Sequence, residues 1–266
     1  MNRALVRLIP AAAAIAAMIP ATIAVSGVSL EGARVLPDLD QEPPSGLILT
    51  RGAHGWRLGF NSAVRNIGAG PLIIDGHRQS YTERTMDADQ MIGRTAGRRE
   101  VVTSVGRLRY TRSPDHEHWH LLGFDHYELR RPGGARAIVR DRKSGFCLGD
   151  RYLVTDPVLP ARPRESVYRS RCGLERPRLM DVREGISVGY GDDYTANLEG
   201  QYLRLTGLRR GRYLLVHRVN QDRRLLESSY ANNASSSLLR LRWRRGAPRI
   251  RVIAVCPDSE QCAAAR

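Results

Sequence analysis

Residues 200–220, "GQYLRLTGLRRGRYLLVHRVN", contain two strand-like runs on either side of a turn. The runs "GQYLRLTGL" and "GRYLLVHRVN" are rich in the leucine, valine and tyrosine residues that suit a pleated, half-buried surface. The segment "LRRGRY" between them supplies a glycine for the turn. This stretch predicts two β-strands, each about five to eight residues long.

Similar short runs recur along the chain and are separated by Gly, Asn, Asp and Pro. They include "GWRLGFNSAVRNIG", "GPLIIDG", "FDHYELRR", "ARAIVRD" and "SSLLRLRWR". No long amphipathic helix follows the N-terminal segment, so we expect a mainly β protein, an antiparallel β-sandwich core with long irregular loops. Residues 76–114 and 151–184 are expected to be those loops, since both are polar and too long for hairpin connections.

The first 27 residues resemble a secretory signal rather than part of the fold. Arg3 and Arg7 precede an apolar run that ends in small residues. The alternative is an uncleaved N-terminal membrane anchor. Either way we expect a secreted or extracytoplasmic protein, which meets a membrane only through this segment. The expected organisation is then one domain over residues 28–245 and a C-terminal tail over residues 246–266.

The four cysteines predict two disulfides, because an even count in an exported chain is typical of a disulfide framework. Sequence alone permits three connectivities. We expect Cys147–Cys172 and Cys256–Cys262, since the second pair closes a short local loop. A zinc site made of cysteines is disfavoured because no CxxC pair is present.

The charge of the chain is strongly basic and almost entirely due to arginine. The net charge is +15, and Lys143 is the only lysine among 42 basic side chains. Such a charge favours polyanions, although codon bias in the source genome also explains abundant arginine. No nucleic-acid partner is expected, since aromatic residues make up only 6% of the chain. An amine can lose its proton and act as a nucleophile, whereas a guanidinium stays protonated. Lys143 is therefore a candidate nucleophile.

A histidine cluster lies in "DHEHWHLLGFDHYEL", residues 115–129. On a strand, His116, His118 and His120 would point to the same face, because side chains alternate. Three imidazoles on one face suit a transition metal, and we favour copper over zinc. The alternative is a set of polar residues that simply face solvent.

The set "HEHWH…FDHYEL", "KSGFCLGD", "GISVGYGDDYTANLEGQYLRLTGLRRGRYLLVHRVN" and "LLESSYANN" resembles the catalytic domain of lysyl oxidase. The resemblance runs from about Leu36 to about Trp243, although residues 76–114 have no evident counterpart. It implies copper at the three alternating histidines. It also implies that Lys143 and Tyr194 form lysine tyrosylquinone, with Tyr190 as the neighbouring alternative.

The resemblance further implies a copper- and quinone-dependent amine oxidase. Such an enzyme uses dioxygen to convert primary amines, including peptidyl lysine, to aldehydes, and it releases hydrogen peroxide and ammonia. His126 is then a candidate general base, or a strand-edge histidine bonded to backbone. Asp192 and Asp193 flank Tyr194, and the sequence assigns neither a role. The alternative function is a secreted copper-binding β domain without turnover.

A calcium site is also implied by the resemblance. Its ligands would be oxygen atoms of Asp38, Leu39 (through its carbonyl), Glu227, Ser229, Asn232 and Asn233. Ser229 stands where the family has an aspartate, which removes one anionic ligand. The alternative is that the two asparagines only form a turn.

Overall fold

The computed structural model describes residues 32–263, except for residues 114, 115, 142, 144 and 170, and it leaves undescribed the side chains of residues 113 and 116. The expected N-terminal signal or anchor lies outside these residues. The described part of the chain consists of β-strands, turns and irregular segments, without a helix. Accordingly, these residues contain no helix with the length and apolarity needed to cross a membrane. The predicted mainly β class is confirmed.

The strands are numbered in chain order. They are β1 (Arg34–Val35), β2 (Leu39–Gln41), β3 (Ser45–Gly52), β4 (Gly55–Asn66), β5 (Leu72–His77), β6 (Thr85–Arg94), β7 (Arg99–Ser113), β8 (His116–Leu122), β9 (Asp125–Arg130), β10 (Ala137–Arg140), β11 (Gly145–Phe146), β12 (Tyr152–Leu153), β13 (Asp181–Ile186), β14 (Tyr190–Tyr194), β15 (Tyr202–Arg204), β16 (Gly211–Val219), β17 (Ala234–Arg244) and β18 (Ala247–Cys256).

The strands form three antiparallel sheets. The first has the order β11-β8-β7-β6-β5-β13, with β1 paired to β6. The second has the order β10-β9-β16-β17-β18. The third is built around the long strand β4, which pairs with β14, β15, β2 and β3. The 200–220 stretch supplies β15 and β16, and these two strands enter different sheets rather than forming one hairpin.

One hydrophobic core joins the three sheets in a sandwich-like arrangement. Phe60 comes from β4, Leu108 and Trp119 come from β7 and β8, and Leu215 and Leu239 come from β16 and β17. Each of these side chains is at most 1% exposed. Burying a side chain of this size contributes about 1.5–3 kcal/mol, so the core is the main force that aligns the sheets.

The expectation of an irregular loop over residues 76–114 is wrong. Most of this stretch forms the hairpin of β6 and β7, which pair from Gly93↔Arg99 to Thr85↔Arg109. Alternate residues of β6 are buried, namely Met86, Ala88, Gln90 and Ile92. A small residue and an amide occupy two of these four positions, so the apolar alternation is too weak to show in the sequence.

The other expected loop, residues 151–184, is largely irregular, with only β12 and the start of β13 within its described part. The expected C-terminal tail contains a strand. Residues 247–256 form β18, which pairs with β17 along its length rather than trailing as a tail. The structure contains both expected disulfides, Cys147–Cys172 and Cys256–Cys262.

Candidate active site

Strand β8 holds two of the three alternating histidines side by side. The ring centroids of His118 and His120 lie 4.5 Å apart. The Nδ1 atom of His120 is 3.1 Å from the Thr111 hydroxyl of the neighbouring strand β7. Trp119 points to the opposite face and is fully buried, which fixes the side of the strand that the histidines share. The third histidine, His116, belongs to β8 through its backbone, but its side chain lies outside the described structure.

The short strand β11 brings the lysine segment to the histidine strand. Phe146 and Gly145 of β11 pair with Leu121 and Leu122 of β8. A Cβ atom built on Gly145 would lie 2.6 Å from the Cβ of His120, so the two backbones approach closely only because residue 145 is glycine. The buried Phe146 ring lies 4.8 Å from the Tyr194 ring, centroid to centroid. Lys143 therefore lies two positions before Gly145, the first residue that pairs with the histidine strand.

Lys143 and Tyr194 meet in the structure. The Nζ atom of Lys143 lies 5.2 Å from the centroid of the Tyr194 ring and 5.3 Å from that of Phe146. The amine also donates to the carbonyl of Glu199 at 3.4 Å. Tyr194 reaches this position at the end of β14, which pairs with β4 and sets Tyr194 opposite Ser62. The ring that lies under the amine is that of Tyr194 rather than that of Tyr190.

A buried carboxyl group binds the hydroxyl of Tyr194. The hydroxyl donates to Asp192 Oδ2 at 2.6 Å, and the carbonyl of Cys147 is a second acceptor at 3.2 Å. Burial raises the pKa of Asp192 to about 7, although the Tyr194 hydroxyl and Arg151 favour its charged form. Burial and the nearby Asp192 raise the pKa of Tyr194 well above its usual value. Asp193 faces the other side of β14 and is exposed.

Asp125 is a second buried carboxyl at the site, and sequence reasoning missed it. Its oxygens accept from the Ser62 hydroxyl at 2.9 Å and from the N–H of His126 at 2.8 Å. Because Ser62 is the cross-strand partner of Tyr194, the Ser62–Asp125 bond brings Asp125 to the face of the sheet that carries the Tyr194 ring. Burial raises its pKa to about 8. Burial also lowers the pKa of Lys143, an effect that the charge of Asp125 opposes more than that of any other carboxyl.

His126, the candidate base, is not brought to this pair. It follows Asp125 on β9, so its side chain points to the opposite face of the strand. Its charged neighbours include Asp222 and Arg218, and burial lowers its pKa. The alternation of Asp125 and Tyr127 could have indicated the buried face. Which face of β9 is turned towards Lys143 depends on strands that are distant from β9 in the sequence.

Most of the residues implied as calcium ligands lie together at the start of β2. Glu227 accepts from the N–H of Leu39 at 2.7 Å and from the Asn233 amide at 2.8 Å. The Asn232 amide donates to Asp38 at 2.8 Å. The Ser229 hydroxyl instead accepts from the N–H of residue 231 at 3.1 Å.

Two observations test whether this cluster suits a cation. The amide oxygens of Asn232 and Asn233 are buried without a hydrogen-bond partner among the described residues. Burial raises the pKa of Glu227 to about 7, although two asparagine amides favour its charged form. Uncompensated oxygens around a buried carboxyl fit a hard cation.

These sheets and this site define an antiparallel β protein with paired imidazoles and with a partly buried lysine next to a buried tyrosine ring. A family model described as Lysyl oxidase matches residues 75–246. The chain therefore belongs to the lysyl oxidase family. The matched range includes residues 76–114, so the expectation that they have no counterpart in the family is corrected together with their structure.

Individual relatives match at low identity and over part of the chain. Human lysyl oxidase homolog 1 is 28% identical over 122 residues, which are 44% of this chain and 18% of that protein. Human lysyl oxidase homolog 3 is 27% identical over 139 residues, 52% of this chain and 16% of that protein. Protein-lysine 6-oxidase from Gallus gallus is 29% identical over 119 residues, 44% of this chain and 24% of that protein. The match thus spans less than a quarter of these relatives.

Proposed function

We propose that this protein is a copper- and quinone-dependent amine oxidase of the lysyl oxidase type. It would convert primary amines, with peptidyl lysine as the favoured substrate, to aldehydes. The observation that carries the proposal is the position of the Lys143 amine, 5.2 Å from the centroid of the Tyr194 ring. Family membership supports the reaction class, and the name protein-lysine 6-oxidase of one relative supports the substrate class.

Copper would be held by His116, His118 and His120. The adjacent rings of His118 and His120 fit one shared ion. The hydroxyl of Thr111 can accept a hydrogen bond from the Nδ1–H group of His120, which leaves Nε2 free to bind the metal. Copper and dioxygen would supply the oxidation of the Tyr194 ring, and the finished Lys143–Tyr194 group would take up the electrons of the substrate amine.

The chain must present Lys143 as a neutral amine, because only the neutral form is a nucleophile. Burial lowers the pKa of Lys143 and so favours this form. We propose that Asp125 accepts the proton. The ammonium of Lys143 then becomes an amine while the carboxylate of Asp125 becomes a carboxylic acid, so the buried pair loses both charges at once. Because the pKa of Asp125 is about 8, its carboxyl keeps the proton that it takes from the amine at neutral pH.

A groove beside Lys143 supports an extended substrate such as a peptide. It has a volume of about 500 Å³ and is lined in part by Glu199 and Gly200. Gly200 lies against the Lys143 side chain, since a Cβ atom on it would be 3.4 Å from the Cβ of Lys143. Carboxyl groups at the site would favour a cationic amine locally, although the whole chain carries +15.

Two accessory features belong to the same proposal. We propose that the cluster around Glu227 binds calcium and so ties β2 to the segment before β17. We also propose that the protein acts outside the cytoplasm, secreted or held at a membrane by its N-terminal segment. The two disulfides support an oxidising compartment.

Peptide mapping tests the proposal directly. Protein purified without metal is loaded with copper in air, digested and analysed by mass spectrometry. We expect a covalent link between the peptides of Lys143 and Tyr194, together with absorbance of a quinone and peroxide production from added amines. Lys143→Arg should abolish all three, while the matched control Tyr190→Phe should retain them. Copper binding without any link would instead indicate a copper-binding β domain without turnover.

A further inference from the structure

The outer face of the second sheet carries a cluster of arginines that the amine oxidase reaction does not use. The members come from β16, β17, β18 and the turn before β16, and all line two adjoining grooves. They are Arg210, Arg212, Arg240, Arg242, Arg249 and Arg251. We call this cluster the arginine face. The grooves share Arg240 and Arg242, and their volumes are about 600 and about 230 Å³.

Strand register places these like charges directly across from one another. Arg240 of β17 lies opposite Arg212 of β16 on one side and opposite Arg251 of β18 on the other. Arg242 lies opposite Arg249 in the next row. Residues directly opposite in an antiparallel pair have Cβ atoms about 4.5–5.5 Å apart, and like charges there are destabilising. The protein therefore loses stability by keeping these rows.

Several arginines elsewhere in the described part of the chain pair with carboxylates, whereas those of the arginine face do not. Arg218 forms ion pairs with Glu128 and Glu260. Arg183 makes two bonds to Asp75, each of 2.6 Å. Within the described residues, by contrast, no guanidinium of the arginine face takes part in an ion pair or a hydrogen bond.

We propose that the arginine face binds a linear acidic polysaccharide through its carboxylate or sulfate groups. The guanidinium fork matches planar oxyanions with two parallel hydrogen bonds. Arginines of the arginine face are about 4.8 Å apart between neighbouring strands and about 6.8 Å apart along one strand. They can therefore present several guanidinium groups to consecutive sugar units. Binding would place negative charge between the opposed arginines and remove their repulsion.

The shape and composition of the arginine face favour this polymer over other polyanions. Single-stranded nucleic acid needs aromatic rings for base stacking. The aromatic residue lining the grooves is Trp243, which is part-buried and donates through Nε1 to the carbonyl of Leu208 at 2.9 Å. An anionic membrane is a broad, nearly flat surface, whereas these arginines line a recess that admits a chain.

Binding to two polysaccharides tests the proposal and distinguishes their anionic groups. The full chain is titrated with alginate, which carries carboxylates, and with dextran sulfate, at several NaCl concentrations. We expect affinity that falls steeply with salt, and about a tenfold or greater loss in the double variant Arg240→Gln/Arg251→Gln. The control Arg84→Gln/Arg98→Gln removes the same charge from exposed turns and should change affinity less than about twofold.

Thermal unfolding gives an independent readout. The face variant should unfold about 1–3 °C higher than the wild type, because it removes repulsion, while the control should not shift. Equal losses of affinity in both variants, or a lower unfolding temperature for the face variant, would overturn the proposal. Tighter binding of poly-L-glutamate, single-stranded DNA or phosphatidylserine vesicles than of either polysaccharide would overturn the assignment of the partner.

Discussion

Gly145 lies directly against His120, and a side chain at residue 145 would displace the histidine. An ideal Cβ on Gly145 would come within 2.6 Å of the His120 Cβ and 3.3 Å of its Cγ. The contact joins two parts of the site, since the same short strand carries Phe146 to the ring of Tyr194. One glycine thus sets the spacing between the histidine strand and the lysine segment.

Replacing Gly145 by alanine should therefore disturb the metal site and the fold together. We expect Gly145→Ala to weaken copper binding at least about tenfold and to lower the free energy of unfolding by about 1–3 kcal/mol. Copper titration and urea unfolding measure the two effects. Gly93→Ala in β6 is the matched control, because its Cβ would meet nothing closer than 3.9 Å. Similar losses in both variants would contradict the role given to this contact.

Asp125→Asn should change both the pH dependence of stability and the formation of the Lys143–Tyr194 link. Burial raises the pKa of the carboxyl from 3.8 in the unfolded chain to about 8 in the folded protein. The native state then holds the extra proton between these values, so the free energy of unfolding falls as pH rises through this window. The slope is at most about 1.4 kcal/mol per pH unit, and the variant should lack this contribution.

The same variant has no acceptor for the Lys143 proton. We expect mass spectrometry to show slower linkage at neutral pH, with recovery at alkaline pH where the amine loses its proton to solvent. Asp193→Asn is the control, since Asp193 is exposed on the other face of β14. A variant that links as fast as wild type at pH 7 would exclude Asp125 as the acceptor.

The β class and the pairing of the lysine segment with Tyr194 were predictable from the sequence for different reasons. Alternation in local runs indicates strands, as in β16, where Tyr213 and Leu215 are buried. The lysine–tyrosine pair could be predicted only from the resemblance to a family, because β11 and β14 belong to different sheets. The local sequence of neither segment indicates that the two segments are in contact.

The burial of polar side chains could not be predicted from the sequence. Gln90 occupies a core position of β6 because its amide binds the backbone of Leu226 through both a donor and an acceptor. Asp125 is buried because Ser62, 63 residues earlier, supplies a hydroxyl. Such partners are distant in the chain, so hydropathy patterns assign these residues to the surface.

Glu227→Gln tests the calcium proposal by its dependence on the ion. The pKa of Glu227 is about 7, so without calcium its ionisation reduces the free energy of unfolding as pH rises from 4.5 to about 7. The glutamine variant should lack this pH dependence in chelator. Added calcium should raise the unfolding temperature of the wild type by mass action and leave the variant unchanged. Equal calcium responses would refute the site.

His217 should make the protein sensitive to acid. Its ring is fully buried between Phe60 and Tyr127, with centroid distances of 4.8 and 4.5 Å, and neither ring nitrogen has a hydrogen-bond partner in the described structure. Burial lowers its pKa from 6.5 to about 3. The unfolded chain therefore binds the extra proton between these values, and the free energy of unfolding falls as pH drops through this window.

His217→Phe should remove that acid sensitivity and stabilise the protein at neutral pH. A phenyl ring fits among the neighbouring aromatic rings without leaving polar nitrogens unsatisfied, which predicts a gain of about 1–3 kcal/mol. Urea unfolding between pH 4 and pH 7 measures both effects, with His54→Phe at an exposed turn as the control. A variant that is less stable than wild type at pH 7 would contradict the claim that the two ring nitrogens of His217 are buried without a partner.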